Sequence, residues 1–236
     1  MTCRKKDMNN RFMSKDANIL IVNKPLGWTS NDVVRKIKGR LGGLKVGHAG
    51  TLDPLATGVL IVLIGGANKR QHEFMKLPKE YVAEFTFGEE RDTYDVQGGI
   101  VHKASPDQLV QLTREKIEKA LEGFRGVIVQ KVPPFSAVKV KGQRLYQLAR
   151  KGKVSPEMLP EKEVSIYQLE LLDFTPYSGE NLPTAELRIF CSCGTYVRSL
   201  AHDLGRELGV GGYVSRITRT RVGEYNLDGA QEIDEI

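Results

Sequence analysis

The sequence has 236 residues, of which 40% are hydrophobic, enough for a substantial core. No apolar run reaches the ~18 residues that a membrane span needs, and residues 1–17 contain no apolar signal-peptide centre. We therefore expect a cytoplasmic protein that has no membrane partner. The net charge of +6 is compatible with a polyanionic partner but does not require one.

The first part of the chain predicts strands and helices separated by turns. Residues 1–17 are expected to form a flexible basic leader. A short apolar strand at 18–22 ends in a Pro-Gly turn, and Thr29 and Ser30 begin a helix because their side-chain oxygens can cap free N–H groups. The next elements are a buried strand at 59–64, a helical segment at 67–77 and an alternating strand at 81–87.

The second part predicts mostly strands. A polar loop at 88–99 precedes a strand at 100–102, a helix at 113–121, strands at 127–132 and 136–142, a helix at 144–151, strands at 164–174 and 184–192, a helix at 194–208, a strand at 213–222 and a short acidic helix at the end. Many strands are joined by loops too short for a parallel crossover. The pattern predicts an α+β fold, with a mixed and mainly antiparallel sheet, flanking helices and a single structural unit.

Asp53 lies in a turn with glycines on both sides and a proline directly after it. Asp readily bonds its own backbone in turns, so local chemistry alone favours a turn residue. The alternative is a catalytic carboxylate that is held at the end of a strand and points at a nucleic-acid base. A buried carboxylate would need a positive partner to stay ionised at neutral pH.

Two residues near this turn in the sequence have open roles. Lys24 is either an ordinary exposed lysine or a support for the loop that carries Asp53. The ordinary pKa of histidine suits a general base, so His48 could serve as one, but a lone loop histidine more often has a structural or stacking role.

Two residues further along the chain are candidate partners. Arg198 lies one turn into the predicted helix at 194–208, where a guanidinium can pair with a carboxylate through two parallel hydrogen bonds. Without other information, a surface arginine is the simpler explanation. Tyr81 begins an alternating strand, and is either a core tyrosine or a ring that stacks on an extruded base and takes part in proton transfer.

The segment 123–156 contains no Asp or Glu but has eight Lys or Arg residues. Such a segment is either a solvated face or a surface for nucleic-acid phosphates, and the complete absence of acids favours phosphates. The isolated Cys191-x-Cys193 pair is not a zinc motif. The motifs of nucleotide hydrolysis, dinucleotide binding, zinc proteolysis and serine esterase chemistry are absent from the sequence.

Taken together, the chain resembles the TruB family of tRNA pseudouridine synthases from Ile19 to about Tyr225. The motifs follow in family order: Asn23–Asp32 (NKPLGWTSND), Gly47–Gly58 (GHAGTLDPLATG), Lys79–Tyr81 (KEY), Arg91–Asp95 (RDTYD), Pro134–Lys139 (PFSAVK), Gly142–Tyr146 (GQRLY) and Cys193–Arg198 (CGTYVR). Two departures are Cys193 and Thr218, at positions where the family often has a basic residue.

The resemblance implies that Asp53 attacks a flipped uridine, at C6 of the base or C1′ of the ribose. Arg198 would pair with Asp53, and Tyr81 would stack on the base and help remove the C5 proton. The substrate-binding residues would be His48 in the RNA stack, Lys24 beneath the catalytic loop and Ile217 in the uracil pocket. The implied reaction is an isomerisation that needs no cofactor and no metal.

The resemblance also implies the pseudouridine synthase fold with a central cleft, a catalytic domain at 18–225 and a short tail at 226–236, without the C-terminal PUA domain of many bacterial members. The implied substrate is the TΨC stem-loop of tRNA, modified at uridine 55 by a monomer. The competing hypotheses are a synthase that acts on another RNA, a non-catalytic RNA-binding protein and an aspartate-nucleophile hydrolase.

Overall fold

This computed structural model describes residues 18–236, so the predicted leader at 1–17 lies outside the described residues. The chain divides into two compact units. The first extends to Tyr81 and resumes at Thr218–Ile236, and the second is Val82–Ile217. The prediction of one catalytic domain at 18–225 stays a prediction.

The α-helices of residues 18–236 are short, and two 3₁₀ turns accompany them at Gly65–Arg70 and Pro156–Met158. The α-helices are α1 (Ser30–Arg40), α2 (Gln71–Lys76), α3 (Pro106–Val110), α4 (Arg114–Glu122), α5 (Leu145–Ala149) and α6 (Val197–Glu207). Helix α1 begins where the sequence predicts, because Thr29 and Asp32 cap it reciprocally. None of these helices reaches the length and apolarity that crossing a bilayer would require.

Strands make up much of the described chain. They are β1 (Ile19–Lys24), β2 (Val46–Ala49), β3 (Ala56–Ile64), β4 (Lys79–Phe87), β5 (Glu89–Arg91), β6 (Ile100–Lys103), β7 (Gly126–Lys131), β8 (Lys139–Val140), β9 (Gln143–Arg144), β10 (Glu161–Thr175), β11 (Thr184–Cys191), β12 (Gly212–Val222), β13 (Tyr225–Asn226) and β14 (Gln231–Glu232). Most pairs are antiparallel and β1 pairs with β14 in parallel. The predicted α+β class with a mixed, mainly antiparallel sheet is therefore confirmed.

In the first unit, β3 is a central strand, because its residues are apolar on both faces. β1 and β2 both pair with it antiparallel, and Lys24 lies opposite Gly58. Residues of β3 pack with Ala49 and Phe74 in one apolar cluster. This arrangement puts the end of β1 beside the start of β3, and residues 50–55 form the loop between β2 and β3.

The predicted acidic helix at the C-terminal end is wrong. Residues Gln231–Glu232 form β14, which pairs with the edge of β1, and the Asn23 side chain donates a 2.7 Å hydrogen bond to Glu232. Ile233 is buried. An isolated short helix is marginal in water, whereas the edge of β1 offers unpaired backbone groups. The C-terminal residues therefore pair with β1 as a strand instead of forming a helix.

In the second unit the strand order is β4-β11-β10-β7, and α4 packs against α6 and β10. The inward residues of β11 are fully buried, as the alternation predicts; they are Ala185, Leu187, Ile189 and Cys191.

Two sequence-based boundaries are wrong in this unit. The predicted polar loop at 88–99 contains β5, which pairs with β6 and buries Glu89 against Arg91 and Lys103. Helix α6 begins at Val197 rather than Gly194, because Gly194 has a φ of 83°, which is incompatible with a right-handed helix.

Candidate active site

The loop that carries Asp53 is fixed on both sides of that residue. The Ser30 hydroxyl accepts from Leu52 N at 2.9 Å and donates to Leu52 O at 3.2 Å. Gly27 N donates to Pro54 O at 2.8 Å, and Ala56 N donates to Asp53 O at 3.0 Å. The half-buried Asp53 carboxyl group is therefore presented by a loop whose backbone is tied to the start of α1 and to the turn before it.

Lys24 is buried at the end of β1, with 0% of its surface exposed, which excludes an ordinary surface lysine. Its ammonium donates to Pro25 O at 2.9 Å and to Trp28 O at 2.6 Å. Burial lowers the pKa of Lys24 to about 8, although the negative charge of Asp53 raises it. Lys24 is thus close enough to Asp53 for the two charges to interact.

Arg219 is a buried residue that the sequence analysis missed. Only 1% of it is exposed. Its Nε donates to Val59 O at 2.8 Å and its Nη2 donates to Gly50 O at 3.1 Å, so it joins the start of the Asp53 loop to β3. The alternation of side chains along a strand could have indicated it: Arg219 lies two positions after the predicted pocket residue Ile217, so both side chains are expected on the same face of the strand.

His48 is half-buried in β2. Its Nδ1 is buried and has no hydrogen-bond partner among residues 18–236. Burial lowers the pKa of His48, and the nearby charge of Arg219 lowers it further. The ring is therefore neutral at physiological pH. Within the described residues, no hydrogen bond orients Nδ1 for proton transfer.

Tyr81 is the third residue of β4 and is half-buried. The preceding Glu80 accepts hydrogen bonds from Thr220 Oγ1 at 2.9 Å and Arg221 Nη2 at 3.1 Å. These bonds fix the β4 backbone next to Tyr81. The predicted role of Tyr81 as a base-stacking ring stays a prediction.

Arg198 is buried in the second unit, with 5% of its side chain exposed, so it is not a surface arginine. Its Nη1 donates to Thr93 O at 2.9 Å and its Nη2 to Phe135 O at 3.1 Å. Asp95 Oδ2 lies 3.7 Å from Nη1. Asp95 is itself held by Thr93 Oγ1 at 2.7 Å and by the Gln97 backbone N–H at 3.0 Å. The guanidinium is therefore held from several directions.

Tyr94, between Thr93 and Asp95, has a φ of 62°, in the left-handed region. Its ring stacks on His202 of α6, with centroids 3.8 Å apart. Burial lowers the pKa of His202 to about 4, so this imidazole is neutral. The stack joins the Thr93–Asp95 turn to the same helix that carries Arg198.

Ile217 is buried at the end of the second unit. Among the six predicted site residues, Lys24, His48, Asp53 and Tyr81 belong to the first unit, and Arg198 and Ile217 belong to the second. The structure brings Asp53 near Lys24. The predicted pairing of Asp53 with Arg198 stays a prediction.

Comparisons with solved structures identify the class of protein. The chain matches a structure titled as a Cbf5-Nop10-Gar1 complex with a TM-score of 0.67 and 27% identity, over 97% of this chain and 55% of that one. It also matches an H/ACA RNP bound to a substrate RNA containing 2'-deoxyuridine, with a TM-score of 0.67 and 25% identity, over 97% of this chain and 53% of that one. The chain thus spans about half of these solved chains. The fold is that of the pseudouridine synthases.

Comparisons of sequence identify the family. The model described as TruB family pseudouridylate synthase (N terminal domain) matches residues 36–197. A tRNA pseudouridine synthase B of Aquifex aeolicus is 44% identical over 92% of this chain and 72% of its own length. One from Parabacteroides distasonis is 45% identical over 92% of this chain and 91% of its own length. The chain belongs to the TruB family of pseudouridylate synthases.

Proposed function

We propose that this protein isomerises uridine 55 in the TΨC loop of tRNA and that Asp53 is the attacking carboxylate. Conversion of uridine to pseudouridine in tRNA follows from family membership and from the two relatives named as tRNA pseudouridine synthases. The observation that carries the role of Asp53 is its loop, which is pinned at Leu52 and Pro54 and lies beside the buried cation of Lys24.

In the net reaction, the glycosidic bond of C1′ changes from N1 to C5 of the uracil, and one proton passes from C5 to N1. Asp53 attacks C6 of the uracil or C1′ of the ribose, and the C1′–N1 bond breaks. The uracil turns in the pocket, a C1′–C5 bond forms, and the bond between Asp53 and the substrate breaks to free the carboxylate. C5 loses its proton and N1 gains one. The atoms of substrate and product are the same, so the balance requires no oxidant, reductant or group donor.

The other site residues serve this chemistry. Arg198 pairs with Asp53 and holds it ionised, and Tyr81 stacks on the flipped base and helps remove the C5 proton. Flipping costs a few kcal/mol, which contacts in the flipped state must offset. His48, kept neutral by its lowered pKa, fills the gap left in the RNA stack, and Ile217 lines the uracil pocket.

The acid-free segment 123–156 supplies the RNA surface. Gln143, Tyr146, Gln147, Arg150 and Lys151 line one groove, and the Arg150 guanidinium lies 5.6 Å from the centre of the Tyr146 ring. Leu145 anchors α5 in an apolar cluster with Val132 and Leu159. Aromatic and guanidinium planes stack on unpaired RNA bases, and the cations contact phosphates. We propose that this surface binds the TΨC stem-loop and that the protein acts as a monomer.

The test uses an unmodified tRNA transcript labelled with tritium at C5 of its uridines. Tritium is released only when C5 loses its hydrogen, so release reports the isomerisation directly. Asp53→Asn should abolish release while the Kd for tRNA stays within about threefold of wild type. The matched control is Asp107→Asn, because Asp107 is an exposed aspartate on α3.

Each outcome bears on a different part of the proposal. Release by Asp53→Asn at the wild-type rate would show that Asp53 is not the attacking group. Loss of tRNA binding in the same variant would make Asp53 a structural residue. Pseudouridine mapped only to other positions or to another RNA would contradict uridine 55 as the target.

A further inference from the structure

We propose that Arg219 is a positioning residue that sets the place of Asp53 by binding Gly50 at the start of its loop and Val59 in the strand that follows. Gly50 lies three residues before Asp53 and Val59 lies six residues after it. The Arg219 guanidinium donates to the carbonyl oxygens of both, at 3.1 and 2.8 Å. One rigid planar group therefore joins the first residue of the loop to the strand β3 that follows the loop.

The backbone around Arg219 is built to let it approach. Gly50 has a φ of 94° and Gly58 has a φ of 101°, a region that L side chains rarely adopt. A β-carbon at Gly58 would lie 2.3 Å from Arg219 O, and one at Gly50 would lie 3.5 Å from Arg219 Nη1. Gly58 thus lets the backbone of β3 approach the backbone of β12 at residue 219, and Gly50 adopts a conformation that suits glycine beside the guanidinium.

A purely structural role does not explain why this residue is charged. Arg219 is 1% exposed and forms no salt bridge within residues 18–236. Burying a cation without a partnering carboxylate is costly. The charge of Arg219 also acts on Lys24 and His48, whose pKa values it lowers. Both lie in the same unit as Asp53.

The consequence is a loss of rate rather than a loss of RNA affinity. Misplacing a reacting group by about 1 Å costs on the order of 100-fold in rate. The guanidinium reaches two carbonyl groups at once, whereas a lysine ammonium keeps the charge without the planar fork. Arg219→Lys should therefore lower the single-turnover rate of tritium release about 100-fold and leave the Kd for tRNA within about threefold.

The experiment compares Arg219→Lys with Arg188→Lys. Arg188 is an exposed arginine of β11 that pairs with Glu170 at 2.9 Å. If Arg219→Lys melts too low to assay, Arg219→Gly is measured with and without added guanidinium ion, which can occupy the space of the missing group. The readouts are the single-turnover rate, the Kd for tRNA and the Tm.

A rate loss in Arg219→Lys alone, without a matching loss of affinity, supports positioning. Positioning is also supported if added guanidinium ion restores both the Tm and the single-turnover rate of Arg219→Gly. Wild-type rate in Arg219→Lys, a rate loss matched by the loss of affinity, or guanidinium that fails to restore the rate would overturn it. The inference rests on Asp53 as the attacking group, so Asp53→Asn is assayed in parallel. If Asp53→Asn releases tritium at the wild-type rate, the proposed function fails. If Asp53→Asn is inactive while the Arg219 variants keep the wild-type rate, only the inference about Arg219 fails.

Discussion

Lys24 should lose its proton near pH 8 in the folded protein, and stability and activity should then respond to pH in opposite directions. Burial lowers the pKa of Lys24 from its ordinary value of 10.5 to about 8, against the opposing effect of Asp53. The two hydrogen bonds to Pro25 O and Trp28 O need only two N–H groups, which a neutral amine still has. The folded protein therefore accommodates the uncharged side chain.

The sign of the stability effect follows from proton binding. Between pH 8 and 10.5 the unfolded chain binds the Lys24 proton and the folded protein does not, so the free energy of unfolding rises with pH. This contribution is fully present above pH 10.5 and is lost as the pH falls through 8. The full pKa difference corresponds to roughly 3 kcal/mol, and screening reduces this to about 2 kcal/mol.

The assay is urea unfolding of wild type and Lys24→Met at about pH 7 and about pH 10. The difference between the two proteins cancels the titration of every other group, and it should grow by about 2 kcal/mol in favour of wild type at the higher pH. Lys38→Met is the control, because Lys38 is exposed in the last turn of α1. Over the same range the rate of tritium release should fall, since the ammonium beside Asp53 loses its charge.

Two results would refute this reasoning. A wild-type minus Lys24→Met difference that is flat from about pH 7 to about pH 10 would mean that Lys24 keeps its ordinary pKa in the folded protein. A rate of tritium release that does not fall above pH 8 would mean that the ammonium does not act on Asp53.

Two further predictions concern the second unit. Asp95→Asn should lower the free energy of unfolding by about 3 kcal/mol and slow tritium release, because it removes the negative charge that lies 3.7 Å from buried Arg198. Unfolding in urea measures the change in stability, and a variant as stable as wild type would contradict the pairing of Asp95 with Arg198. Neutralising Arg150 and Lys151 together should reduce the slope of log Kd against log salt by about 1 to 2, as measured by filter binding. The same change at Lys116 and Lys119 of α4, which lie among acidic residues, should leave the slope unaltered, and an equal reduction there would count against a specific RNA surface.

The elements that the sequence predicts well are those whose signals are local. Alternation places the buried face of β11, and Thr29 with Asp32 marks the start of α1 because capping involves residues three apart. The turn of Asp53 is visible because glycine and proline punctuate the backbone. In each case the interacting groups are close in the chain, so composition and spacing are sufficient.

The features that the sequence does not predict depend on distant partners. β14 forms because the edge of β1, more than 200 positions earlier, offers backbone groups for pairing. Arg219 is buried because β12 brings it to the loop at Gly50, a separation of 169 positions. A pattern of charged residues in a strand normally predicts exposure, so neither its burial nor its two carbonyl partners follow from local spacing.

The central claim is that Asp53 converts uridine 55 of tRNA to pseudouridine. Its most direct test is to map pseudouridine in a single-turnover reaction on an unmodified tRNA transcript, using wild type and Asp53→Asn. We predict product at position 55 with wild type and none with Asp53→Asn, although both bind the transcript. Product at position 55 with Asp53→Asn, or none at that position with wild type, would contradict the account.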